Sequence, residues 1–156
     1  MKVLVTVGIF PPDIGGPATF VPKIVNYFQN ELNYEIEILT LSDSKNLDIK
    51  DRFIVKRIDR NLPIIYRWLK TIFTIYKLGK NKDLIFVNGL GTESTIANIF
   101  LKKKIIRKIV GDPVWERAYN KGKVSENFDE FQVKNYGFSI SPVSYTHLRA
   151  HETDTD

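Results

Sequence analysis

Three short stretches carry the residue types with which a protein grips an oxygen-rich, anionic ligand. Residues 8–24, GIFPPDIGGPATFVPKI, place two prolines, an aspartate and two glycines between a run of β-formers and a helix-like pattern. Gly15 and Gly16 lack Cβ atoms, so their backbone N–H groups can approach a ligand closely. The helix start beyond them adds unpaired donors and a partial positive charge, which suits a phosphate or a sugar hydroxyl. Pro11 and Pro12 stiffen the approach and reduce the entropy lost on binding. The expected anion-side loop is Gly15, Gly16 and Pro17, with Asp13 beside it. The same glycines would also serve a plain tight turn. The stretch matches neither the dinucleotide fingerprint G-x-G-x-x-G nor the Walker pattern, but the full PPDIGGP string favours a ligand.

The second stretch, FVNGLGTEST, offers Asn88 as donor and acceptor for sugar hydroxyls, with Gly89 behind it. Thr92 is the expected cap of the next helix. A capped left-handed turn explains the same residues. The third, IVGDPVWERA, brings Gly111 and Asp112 to a strand end, followed by Trp115, Glu116 and Arg117. An indole beside a carboxylate and a guanidinium suits a sugar or phosphate, although Asp112 before a proline also starts turns.

For these stretches to meet, the elements between them must deliver them to one edge. Residues 2–8 are nearly continuous in apolar side chains, the pattern of a strand covered on both faces. The pattern continues with a helix from about Pro17 to Leu32, a strand over 34–41, a loop over 42–51 and a strand over 53–58. A helix over 62–79, a strand over 84–87, a helix over 92–101 and a strand over 105–110 complete the alternation. Pro22 suits only a first helical turn, which puts that helix start between Gly16 and Thr19. The fold class is α/β, a Rossmann-like parallel sheet with helices on both faces, most simply ordered 3-2-1-4-5. In that order the ligand crevice lies beside the first strand, where the glycine loop leaves it.

Composition narrows the chemistry. The chain has 156 residues, enough for one domain with a substantial core. Its 23 basic and 18 acidic residues give a net charge of +5, a mild bias toward anionic partners. With no cysteine, disulfides, thiol catalysis and cysteine metal sites are excluded. Residues 142–156, PVSYTHLRAHETDTD, break from what precedes them and resemble translated sequencing-adapter read-through. They hold both histidines, His147 and His151, so residues 1–141 contain no Ser-His-Asp arrangement. No metal is expected. The absence of an apolar leader and of a long apolar run points to a cytoplasmic chain.

Residues 62–80, LPIIYRWLKTIFTIYKLGK, are unusual. On a helical wheel Arg67, Lys70, Thr71, Thr74 and Lys77 share an arc of about 120°, and the remaining faces are apolar and aromatic. With LKKKIIRK at 101–108 this material suits peripheral contact with an anionic membrane, although a helix packed on the sheet with a solvated basic stripe explains it too. No RNP-type motif accompanies the aromatics, so no nucleic-acid partner is expected.

Taken together, VTVGIFPPDIGGPATFVPKI, NGLGTESTIAN and KIVGDPVWERAYNKG resemble the N-terminal domain of family-4 glycosyltransferases, over about residues 1–141. The resemblance implies the N-terminal half of a two-Rossmann-domain (GT-B) fold. It further implies sugar transfer from a nucleotide-sugar to a glycan or lipid-linked acceptor, with retention of configuration and without metal or other cofactor. Gly15, Gly16 and Pro17 would reach the donor phosphates. Asn88, Gly111 and Asp112 would line the cleft, and Asp13, Gly89, Thr92, Trp115, Glu116 and Arg117 are the further acceptor-side or cleft-lining candidates read from the residues themselves. Several relatives place a histidine near the end of the fifth strand, where this chain has VGDP, so Asp112 is only a tentative catalytic candidate. The donor-binding half is absent, which implies a fragment inactive alone, at the inner face of a membrane and serving cell-envelope polysaccharide. The competing expectation is a non-catalytic Rossmann-like ligand-binding or interaction module.

Overall fold

A computed structural model describes residues 1–47 and 52–108, together with positions 115, 118, 119, 122, 124, 125, 127 and 130. The chain divides into two compact units, Met1–Lys108 and Ile109–Asp156. The expected fifth-strand exit at Gly111 and Asp112, the neighbouring Glu116 and Arg117, and residues 142–156 lie outside the described residues.

The first unit alternates strand and helix. Its elements are β1 (Lys2–Val7), α1 (Gly16–Asn30), β2 (Glu35–Ser42), β3 (Ile54–Asp59), α2 (Ile64–Gly79), β4 (Leu84–Asn88), α3 (Gly91–Leu101) and β5 (Lys104–Arg107). All neighbouring strands are parallel, in the order β3-β2-β1-β4-β5. The sequence pattern anticipates this order. β1 is central because its side chains find apolar cover on both faces: Val3, Leu4, Val5, Thr6 and Val7 are all fully buried.

Alternation along the strands divides the core in two. Val3, Val5 and Val7 join Ile36, Ile38 and Phe86 under Val21 and Val25 of α1. On the opposite face Leu4, Leu39 and Ile58 pack with Ile75 of α2 and Ala97 of α3. The helices therefore cover both faces. Thr6 is the buried polar residue of β1, and its hydroxyl lies 3.0 Å from that of Ser94 in α3 and donates to the Gly89 carbonyl at 3.2 Å.

Three local expectations need correction. Pro22 is the seventh residue of α1, beyond the first turn, so it supplies no N–H to the Ala18 carbonyl. Packing of the helix on β1 outweighs that missing bond. Thr71 does not belong to the basic arc of α2. It is buried, its hydroxyl donating to the Arg67 carbonyl at 2.8 Å. A single 3₁₀ turn, Ser44–Asn46, interrupts the loop after β2.

Gly89 shows why the β4–α3 connection is glycine. Its φ is +149°, and a Cβ built there would lie 2.5 Å from the Gly8 nitrogen. The two strand exits pass too closely for any side chain. Gly89→Ala is expected to cost about 2–4 kcal/mol in urea denaturation. At the β3–α2 corner, Asp59 accepts from the Ser44 hydroxyl at 2.6 Å and the Asn61 N–H at 2.9 Å. These bonds, the Ser44 hydroxyl foremost, hold its pKa below the ordinary carboxylate value. A depressed carboxylate pKa stabilises the fold above the unfolded-state value, and the gain disappears as pH falls through the folded-state value. A carboxyl NMR titration should show the Asp59 midpoint rising in Ser44→Ala.

Candidate functional site

The loop leaving β1 is held from within. Phe10 is buried and meets the Phe53 ring edge-on at 6.2 Å. The Asp13 N–H donates back to the Phe10 carbonyl at 3.0 Å and closes a turn over a cis Pro11–Pro12 bond. From the end of β3, Arg57 donates through Nη2 to the Pro11 carbonyl at 2.6 Å and through Nη1 to the Ser42 hydroxyl at 3.3 Å. Its guanidinium also lies 5.7 Å from the centre of the Phe10 ring. Arg60 pairs with the Asp13 carboxylate and donates to the Leu41 carbonyl at 3.2 Å. Arg67 of α2 in turn donates to the Arg60 carbonyl. Asp13, expected along the cleft, thus has its carboxylate engaged by Arg60.

Beyond this clamp the loop becomes free. Ile14 is 98% exposed. Gly15 has φ +153° and forms the N-cap of α1 with no side-chain cap. Its carbonyl takes both the N–H and the hydroxyl of Thr19, at 3.0 and 3.2 Å. Pro17 has no N–H, so it contributes rigidity rather than a donor. The N–H groups of Gly15, Gly16 and Ala18 remain, and none has a protein acceptor among the described residues. A helix start with three such donors and no acidic residue in its first turn favours an anion.

Asn88 stands at the same end of the sheet. It is the last residue of β4, opposite Val7, and is only 6% exposed. Strand alternation puts its side chain on the face of Leu84 and Phe86, the face α1 covers. Its Nδ2 is buried without a hydrogen-bond partner among the described residues. Such a group costs roughly 1–3 kcal/mol when left unmet, so a buried amide of this kind points to a ligand that meets it.

Sequence reasoning missed two parts of this site. Lys108, just past β5, donates its N–H to the Val87 carbonyl at 2.9 Å and places its ammonium 3.1 Å from the centre of the Phe20 ring in α1. A cation thereby sits beside the second turn of the anion-favouring helix. The Arg57–Arg60 clamp is the other part. The RFIVKRIDR string reads as an ordinary edge strand, and the spacing of more than 40 residues to the loop leaves no local signal.

The remaining predicted positions are distributed as follows. Thr92 is exposed in the first turn of α3, and the N-cap is Leu90 in the left-handed region, without a side-chain cap. The threonine hydroxyl that is engaged there is that of Thr95, which donates to the Gly91 carbonyl and accepts from Arg107. Trp115 belongs to the second unit, where its ring lies 5.2 Å from that of Tyr119. No cluster of metal-ligating side chains occurs among the described residues.

No family model matches the chain, and no curated protein matches it. Among solved structures it is similar to one from Listeria monocytogenes whose protein carries a provisional assignment as a UDP-N-acetylglucosamine 2-epimerase. The TM-score is 0.51 at 17% identity, over 85% of this chain and 36% of that one. The likeness supports the Rossmann-like α/β fold. The chain spans little more than a third of that structure's length.

The clamp predicts a mutational result. Arg60→Ala should lower stability by about 2 kcal/mol, because it strands a partly buried carboxylate. It should also broaden the Gly15 and Gly16 amide resonances. Arg60→Lys should restore them in part, since the Asp13 carboxylate and the Leu41 carbonyl both accept from the one Nη2, a position that an ammonium can also fill.

Proposed function

We propose that this chain is the acceptor-side half of a retaining sugar transferase, with its β1–α1 loop facing the diphosphate of a nucleotide-sugar donor. The observation that carries the reading is the shared position of unpaired donors. The amides of Gly15, Gly16 and Ala18 and the buried Asn88 Nδ2 all lie at the carboxyl end of the sheet, on its α1 side. Open parallel sheets bind ligands at this end, beside the strand where the order reverses.

Chemically, donors fixed before the ligand arrives stabilise charge without reorganising. Charge builds on the diphosphate as the sugar leaves, and a helix N-terminus aimed at it lowers that barrier. Lys108 adds a full charge nearby. Asn88 is suited to a sugar hydroxyl or a phosphate oxygen. The resemblance to family-4 glycosyltransferases supplies the reaction type, with no metal or other cofactor. The name carried by the Listeria monocytogenes structure, a nucleotide-sugar enzyme, agrees in substrate class. Asp112 keeps its place as a candidate near the reacting sugar. The acceptor is a glycan or lipid-linked sugar, and cytoplasmic placement at the inner membrane face follows from such an acceptor.

Calorimetric titration with inorganic pyrophosphate, the part of the donor that this half would face, tests the reading. Binding is expected, with Asn88→Leu weakening it about tenfold while leaving stability unchanged or slightly raised, because the lost amide has no partner to strand. Wild-type protein that ignores pyrophosphate, or Asn88→Leu that binds it equally well, would overturn it. The purified 156-residue chain should show no sugar transfer from any nucleotide-sugar in a radiolabel assay.

A further inference from the structure

The outer side of the α2–α3 layer is apolar where solvent would be expected. Ile65, Leu69 and Phe73 follow one another at four-residue spacing along α2, and each is more than half exposed. Phe100 of α3, 73% exposed, stands beside them with its ring edge-on to Tyr76 at 6.5 Å. Leu69, Ile72, Phe73, Tyr76, Ala97 and Phe100 line an open groove of about 470 Å³. A contiguous patch of this kind marks an interaction surface.

The rim defines the partner. Lys70 and Lys77 occupy the adjoining arc of α2, Lys80 follows its C-terminus, and Lys102 follows that of α3. α2 itself contains no acidic residue. The Lys80 ammonium lies 4.6 Å from the centre of the Tyr76 ring, and that of Lys70 lies 5.8 Å from that of Tyr66. The cations are thus held at the margin of the aromatic surface, with their stems along it. An apolar strip edged by lysines matches the boundary between lipid tails and anionic headgroups. A second copy fits poorly, because it would set Lys70, Lys77, Lys80 and Lys102 against the same four lysines, with Glu93 of α3 the one acidic residue on either helix to answer them. No helix among the described residues is long and apolar enough to cross a membrane, so the contact is a surface one.

We propose that this face docks on an anionic bilayer, Leu69, Phe73 and Phe100 entering the interface and Lys70, Lys77, Lys80 and Lys102 meeting lipid phosphates. The inference is independent of the sugar-transfer reading. α2 packs on the sheet face opposite α1 and begins at the carboxyl ends of the strands, so docking leaves the Gly15–Gly16 loop uncovered.

The test is co-sedimentation of the whole chain with phosphatidylcholine vesicles, with and without about a third phosphatidylglycerol. At low salt, binding to the anionic vesicles should exceed binding to the neutral ones at least tenfold, and should fall as salt rises. Leu69→Glu with Phe73→Glu should abolish it, and Lys70→Glu with Lys77→Glu should reduce it more than tenfold. Both pairs are surface changes, and circular dichroism should show each variant folded. Equal or negligible binding to the two vesicle types would overturn the proposal. So would a dimer in sedimentation equilibrium that Phe73→Glu dissolves while vesicles leave the chain in solution.

Discussion

Two guanidinium groups at the end of β3 decide where the loop leaving β1 can go. Arg57 takes the Pro11 carbonyl, and Arg60 takes the Asp13 carboxylate. Without them, a segment of prolines and glycines would leave the sheet with little to direct it. With them, the chain is committed to one path before it reaches Gly15, and the start of α1 is delivered to the switch in strand order. The clamp spends its hydrogen-bonding capacity on holding the loop, while the amides after it stay unspent. Binding groups in open α/β sheets are commonly backbone donors placed by a scaffold, the pattern on which the proposed anion site rests.

The rest of the site is built on closeness between strand exits. A methyl group on Gly89 would collide with the Gly8 nitrogen, so the β1 and β4 exits form one compact edge. Asn88 is carried on that edge with its Nδ2 unmet among the described residues, and Lys108 comes in from β5 over Phe20. Backbone amides, a buried carboxamide and an ammonium therefore gather from three elements on one side of the sheet. None is a nucleophile or general base, which fits binding and charge stabilisation better than bond-making by the described residues themselves.

Much of the fold was legible because it is written in local pattern. The unbroken apolar run of β1, the alternation in β2 and the spacing of Val21 and Val25 on α1 each state which face is buried, and strand order follows from alternation with helices. The candidate loop was legible through glycine and proline chemistry. What could not be read were contacts between segments far apart in sequence. Arg57 and Arg60 look like solvent-facing charges until β3 is placed beside β2. Lys108 looks like one more surface lysine until β5 brings it to α1. Thr71 fell on the basic arc by wheel geometry alone, yet threonine can return its hydroxyl to the preceding turn and be buried. Thr92 was read as a cap by residue type, but the left-handed Leu90 is the N-cap, two residues earlier.

The central claim is that the amides of Gly15, Gly16 and Ala18, which have no protein acceptor among the described residues, take an anion. Residue-resolved hydrogen exchange with and without inorganic pyrophosphate addresses it most directly. The account predicts fast exchange at these three amides in the free chain and marked slowing at saturating pyrophosphate. Protection already present without the anion, or exchange unchanged by it, would contradict the account.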